Sequence, residues 1–147
     1  MRLSKKKVFL IRRIVAGSLL ALLIGSIGLM VYFWNGIEWF KVPKKEALIN
    51  YVRLEIQPLY YKKRSNELVV HIKLRSTQNT AVINNSVIHT FLLLDDREDV
   101  HEVQKWEHLK ASEYEKEGDL VFTLKERPNH ISISYFEFEE YHFKWVL

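Results

Sequence analysis

Twenty-one consecutive residues near the start of the chain, Ile14 to Trp34, carry no charge, and this run constrains everything that follows it. At about 1.5 Å of rise per residue it makes a helix roughly 31 Å long, and a bilayer's hydrocarbon core is about 30 Å thick. Eleven of its positions are Leu, Ile, Val or Phe. Each favours insertion by roughly 0.3 to 0.6 kcal/mol near a helix centre, a total on the order of 3 to 7 kcal/mol. The run therefore predicts a transmembrane helix that inserts without a partner. The rival is a cleaved signal peptide, with a small-residue site after Ser26-Ile27-Gly28. Against it, the apolar run continues six residues past that site, whereas signal h-regions span about 7 to 15 residues. The chain has no cysteine, so a lipid-modified cysteine is excluded.

Residues 1–13 form a basic tail, with Arg2, Lys5, Lys6, Lys7, Arg12 and Arg13 and no acid. The flank beyond the helix is mixed: Glu38, Lys41, Lys44, Lys45 and Glu46. Lys and Arg close to a span stay on the cytoplasmic side. Lys5, Lys6, Lys7, Arg12 and Arg13 thus set the expected topology, with the N-terminus cytoplasmic and residues 35–147 outside. Trp34, Trp39 and Phe40, with Tyr32 and Phe33, form an aromatic cluster suited to the outer membrane interface. The net charge of +4 and pI near 9.2 suggest nucleic-acid binding only until the chain is divided. The tail is +6, while residues 35–147 hold 16 cations against 18 acids. The basicity belongs to topology and to contact with anionic lipid, and no nucleic-acid partner is expected.

Residues 35–46 read as a juxtamembrane linker and 47–147 as one extracytoplasmic domain, since the length allows a single core. A cysteine-free domain of this size stands on packing alone, which suits a bacterial envelope protein better than a disulfide-stapled secreted one. The Asn84-Asn85-Ser86 sequon is then coincidental. Apolar residues recur at period two, the mark of half-buried strands. In Ile49–Ile56, Val52, Leu54 and Ile56 point one way until Pro58 interrupts, which suggests an edge strand. In Glu67–Arg75, Leu68, Val70, Ile72 and Leu74 face inward. Residues 76–80 have turn chemistry, Val82–Asn84 reads as a short strand, and Val87–Leu94 is apolar on both faces, as in a central strand. The acidic stretch 95–99 is a solvent-facing loop. Residues 99–117 read as a short helix, with Asp99 and Glu102 as its capping pair, Gly118 at C′, and Val100, Val103, Trp106 and Leu109 as its apolar stripe. Leu120, Phe122 and Leu124, then Ile131, Ile133 and Tyr135, then Tyr141, Phe143 and Trp145 mark three further strands. Short strands with a turn signal about every 10 to 12 residues predict a small β-sandwich, so the fold class is a membrane-anchored all-β protein.

The run from Leu68 to Tyr135 resembles the immunoglobulin-like domains of secreted and lipid-anchored surface proteins of Gram-positive bacteria. The resemblance rests on Phe91-Leu93-Asp95 at a strand end, Gly118 to Phe122 at a strand opening, and a late apolar strand ending in Tyr135. The chain departs from that pattern in the acidic loop, where Arg97 and Glu98 stand in place of a glycine. The resemblance implies a sandwich with a binding or structural role, and no catalytic residue.

Few residues suggest chemistry. The six histidines, His71, His89, His101, His108, His130 and His142, include no His-x-x-x-His pair. Glu98 with His101 and Glu139 with His142 have Glu-x-x-His spacing but no third ligand nearby, and zinc needs three or four. His101 and His108 would share a face of the expected helix. The acids at 95, 96, 98 and 99 lack the spacing and central glycine of a helix-loop-helix calcium site. No serine sits in a Gly-x-Ser-x-Gly turn, and no glycine-rich phosphate loop exists. No metal, cofactor or catalytic residue is expected.

Two features stand above this background. Gly17, Ala21 and Gly25, with Gly28 close by, place small residues on one helix face, where another helix backbone can approach. Residues 41–64 hold seven cations against two acids, and residues 95–126 five against eleven. The first patch suits anionic headgroups or an anionic wall polymer. Together these predict a non-catalytic bitopic membrane protein whose outer domain binds other membrane or envelope proteins, with homo-oligomers open. Its expected role is as an accessory subunit of a secretion, conjugation or DNA-uptake assembly. The alternative is an envelope ligand sensor, for which a 13-residue tail leaves no effector domain. A pseudopilin would need a processing site and a membrane-proximal Glu that are missing.

Overall fold

The computed structural model describes residues 4–34, 36–49, 51–78, 91–136 and 141–147. The strand expected at Val82–Asn84, the first part of the one at Val87–Leu94, the sequon, His89 and Glu139 lie outside them. The chain divides into two compact units, Met1–Gly36 and Ile37–Leu147.

The first unit is helix α1, Lys5–Trp34. At about 1.5 Å per residue it is roughly 45 Å long, and it begins nine residues before the uncharged run, taking most of the basic tail into its first turns. Every described side chain along it is exposed. The stretch Lys5–Tyr32 is long and apolar enough to cross a membrane. Its two serines are satisfied internally: Ser18 Oγ donates to Ile14 O at 2.9 Å and Ser26 Oγ to Leu22 O at 2.8 Å.

The second unit is an antiparallel β domain. Its described strands are β1 (Ile37–Trp39), β2 (Lys45–Ile49), β3 (Val52–Lys62), β4 (Glu67–Ser76), β5 (Phe91–Leu94), β6 (Val100–Ala111), β7 (Glu115–Thr123), β8 (His130–Tyr135) and β9 (Tyr141–Val146). β1 and β2 both pair with β3, and the sheet then runs β3-β4-β7-β6-β5-β8-β9. β6 joins its two halves: Val100–Glu102 pair with β5, and the strand pairs with β7 from Val103 onward. The sheet curls into a half-barrel, and inward side chains from β3, β4 and β7 meet those from β5, β8 and β9 in one core. Its far edges meet through side chains. Trp145 Nε1 donates to Pro43 O at 2.9 Å, while the Lys45 ammonium sits 5.2 Å from the Trp145 ring centre and donates to Lys144 O.

The inward positions read from the alternation hold. Leu54, Ile56, Leu68, Val70, Ile72, Leu120, Phe122, Ile133 and Tyr135 are at most 1% exposed. Three expectations need correction. The strand begun at Ile49 is broken by the β2–β3 turn, with Tyr51 at φ 67°. β3 is not an edge strand. It has partners on both sides, and Pro58 falls where β2 has ended, β1 has not begun, and the register with β4 shifts. A residue without an N–H is tolerated at such a bulge. Finally, the expected linker at 35–46 contributes β1 and the start of β2.

The short helix expected over 99–117 does not exist. Those residues form β6 and the start of β7, an antiparallel pair. The register slips between Val103 and Lys105 and again between Glu107 and Lys110. Each extra residue shifts the alternation by one, so two bulges turn a period of two into the apparent period of three through Val103, Trp106 and Leu109. Gly118 is no helix cap; it lies within β7 opposite the second bulge. A Cβ there would lie 3.0 Å from Trp106 Cε3 and 3.2 Å from the backbone at Glu107 and Leu109, so any side chain would have to push these neighbours aside, and glycine suits the close approach.

Candidate functional site

On α1, Lys5, Lys6, Lys7, Arg12 and Arg13 occupy the first turns, with the Arg13 guanidinium 4.6 Å from the Phe9 ring centre. A Cβ added at Gly17, Gly25 or Gly28 would meet nothing within 4 Å, so the face shared with Ala21 is open. The three interface aromatics have different surroundings. Trp34 is exposed. Trp39 is exposed on one side and packs on Tyr60 at 4.6 Å between ring centres. Phe40 is half-buried against the core, with the Arg127 guanidinium 5.5 Å from its ring centre.

The outward face of β4, β7 and β6 brings together residues whose spacing gives no hint of it. Asp119 on β7 accepts from His71 Nδ1 at 2.8 Å and from His108 Nδ1 at 2.9 Å, while His71 Nε2 lies 3.2 Å from Glu117. A carboxylate only accepts, so both Nδ1 atoms carry protons in this arrangement. His108 reaches Asp119 because the second bulge holds it at φ 52°. His101 does not share a face with His108: its Nε2 pairs with Asp95 at 2.8 Å, and His142 Nδ1 pairs with Ser134 Oγ at 2.7 Å. Among the described residues, no group of three or more His, Asp or Glu is arranged to hold a metal ion.

The acidic loop is organised by its own carboxylates. Asp95 accepts from the N–H of Arg97 and Asp99, and Asp96 from the N–H of Asn129 and His130. Burial pushes both carboxyls up. For Asp95 the hydrogen bond from His101 and the two backbone donors outweigh it, and for Asp96 the two backbone donors do; both end below the ordinary value of 3.8. Asp99 is held by Lys125 at 2.8 Å. These oxygens shape a turn into β6 rather than facing an open ligand site.

The fold pairs part of the basic segment 41–64 with acids. Lys44 bridges Glu46 and Glu55 and holds the Glu55 carboxyl below its ordinary range, Lys62 reaches Glu67 and Glu107, and Lys63 reaches Glu38. Such surface pairs each contribute at most about 1 kcal/mol, and they offset three of the segment's seven cations. Arg53 is different. Among the described residues its side chain makes no hydrogen bond or ion pair. It lines a cleft of about 650 Å³ with Arg75. The sequence hides this neighbour, because only the β3–β4 register sets 53 against 75. No family model, no curated protein and no solved structure matches the chain.

Proposed function

We propose that this is a single-pass bacterial membrane protein, N-terminus cytoplasmic, presenting its β domain outside as a non-catalytic binding module. Its role is that of an accessory subunit in an envelope assembly. The observation that carries this reading is α1, whose span Lys5–Tyr32 is long and apolar enough to cross a membrane, with none of its apolar window buried within the protein. An apolar surface of that length is costly in water and at home in lipid. The basic first turns set the orientation by the positive-inside rule. The resemblance to immunoglobulin-like surface domains points the same way, towards binding. Gly17, Ala21, Gly25 and Gly28 offer a face on which a second helix can pack, because association in lipid depends on close approach. A phosphatase fused after Leu147 will be active outside the cytoplasm, and Ala21→Leu with Gly25→Leu will leave insertion intact while reducing partners recovered by cross-linking in native membranes. An inactive fusion overturns the topology, and equal recovery from wild type and double variant overturns the role of the helix face.

A further inference from the structure

Strand register brings like charges directly opposite one another at three places on the β domain's outward face: Glu46 with Glu55, Glu107 with Asp119, and Arg53 with Arg75. Such pairs are destabilising unless something of opposite sign lies between or beside them. Both acidic pairs have it. Lys44 lies 3.1 Å from Glu46 and 2.8 Å from Glu55. Glu107 is met by Lys105 at 2.9 Å and by Lys62 at 3.8 Å, and Asp119 is hydrogen-bonded by His71 and His108. In the arginine pair only Arg75 has such a partner: Glu115 stands opposite it on β7, 3.8 Å from its Nε and 3.3 Å from Lys73, while Arg53 makes no ion pair among the described residues.

Arg53 and Arg75 line one cleft, together with Ser76, Thr77, Ser112, Tyr114 and Glu115. Its volume of about 650 Å³ lies in the usual range for ligand sites, about 300–1,000 Å³. The frame is fixed from both sides: Thr77 donates through N and Oγ1 to Tyr51 O, Ser76 N donates to Tyr114 O, and Ser112 N donates to Glu115 O. Two guanidinium forks present paired N–H donors in a geometry suited to oxyanions. One carboxylate satisfies one fork; a phosphate has oxygens enough to engage both. We propose that the Arg53–Arg75 cleft is a phosphate-binding site, taking the phosphate group of a soluble phosphodiester polymer or of a lipid headgroup. The site lies wholly on the β domain and does not depend on the topology proposed above.

The test uses the full-length protein in neutral detergent micelles, with inorganic phosphate titrated against chloride at matched ionic strength and followed by ³¹P line broadening. Wild type will show saturable binding. Arg53→Gln and Arg75→Gln will each weaken it about tenfold or more, and Lys41→Gln or Lys63→Gln, each of which removes the same single charge elsewhere, will not. Arg53→Gln also removes the repulsion, so in phosphate-free buffer it will melt no lower than wild type. Arg53→Lys keeps charge and stem but loses the fork, and will bind more weakly than wild type with unchanged melting. Displacement of bound phosphate by soluble glycerol-phosphate oligomers assigns a free polymer; displacement only by phosphatidylglycerol in nanodiscs assigns a headgroup. Non-saturable binding by wild type, or equal binding by wild type and the Arg53→Gln, Arg75→Gln double variant, overturns the proposal.

Discussion

β4 and β6 flank β7 on opposite sides, and they are held in place by different physics. β4 keeps one uninterrupted register with β7 from Glu67–Thr123 to Arg75–Glu115, and its inward residues are essentially inaccessible to solvent. β6 slips register twice against the same strand, and none of its residues is fully buried. What positions β6 is polar: Asp95 with His101 at its start and Asp119 with His108 at its second bulge. Against β7, the strand held by burial keeps its register and the strand held by local hydrogen bonds bulges.

The largest test of that contrast sits on β7, where Phe122 lies between Leu68 of β4 and Val103 of β6. Removing a fully buried phenyl ring costs its transfer free energy and leaves a cavity. Phe122→Ala is expected to destabilise the domain by roughly 3–5 kcal/mol. Val103→Ala, at a half-buried position, removes far less apolar area and should cost about 1 kcal/mol. Chemical denaturation followed by tryptophan fluorescence reads both. Equal losses at the two positions would mean that β6 is held by the core after all.

The same contrast explains what the sequence made legible. Leu68, Val70, Ile72 and Leu74 advertise their strand because nothing interrupts their alternation, and the helix at Ile14–Trp34 shows itself by composition alone. β6 was hidden because its two bulges rephase the pattern, and a bulge depends on the partner strand. Gly118 carried a real signal, a position where the chains approach closely, but close approach and helix capping leave the same letter in a sequence. The Asp119 cluster and the Arg53–Arg75 pair were illegible for a further reason. Each joins residues from different strands, and only register brings them together.

A second, smaller effect should distinguish the two strands by pH. The Asp95 carboxyl is 10% exposed and sits below its ordinary value of 3.8. A carboxyl depressed by folding stabilises the protein above its unfolded pKa, and that contribution is lost as pH falls through the lower folded pKa. Hydrogen bonds to a charged group are worth about 1.5–3 kcal/mol, so Asp95→Ala should cost on that order at pH 7. The gap between variant and wild type should close as pH falls below about 3.9, while the Phe122→Ala loss persists. A gap at Asp95 that stays constant with pH would assign its effect to packing.

The smallest effect is expected at Glu98, in the turn that leads into β6. Its φ of 62° is in the left-handed region, and its side chain is exposed, with no ion pair among the described residues. An L-residue pays about 1–2 kcal/mol to adopt that conformation, and glycine does not. Glycine in turn loses about 0.5–1 kcal/mol more chain entropy on folding. The difference favours Glu98→Gly by a few tenths of a kcal/mol to about 1 kcal/mol, a rise in Tm of at most about 8 °C for a domain of this size. Glu98→Val, with a β-branched side chain at the same φ, should lower Tm instead. If valine and glycine shift Tm alike, the backbone at Glu98 is unstrained, and the turn into β6 is held by the Asp95 hydrogen bonds alone.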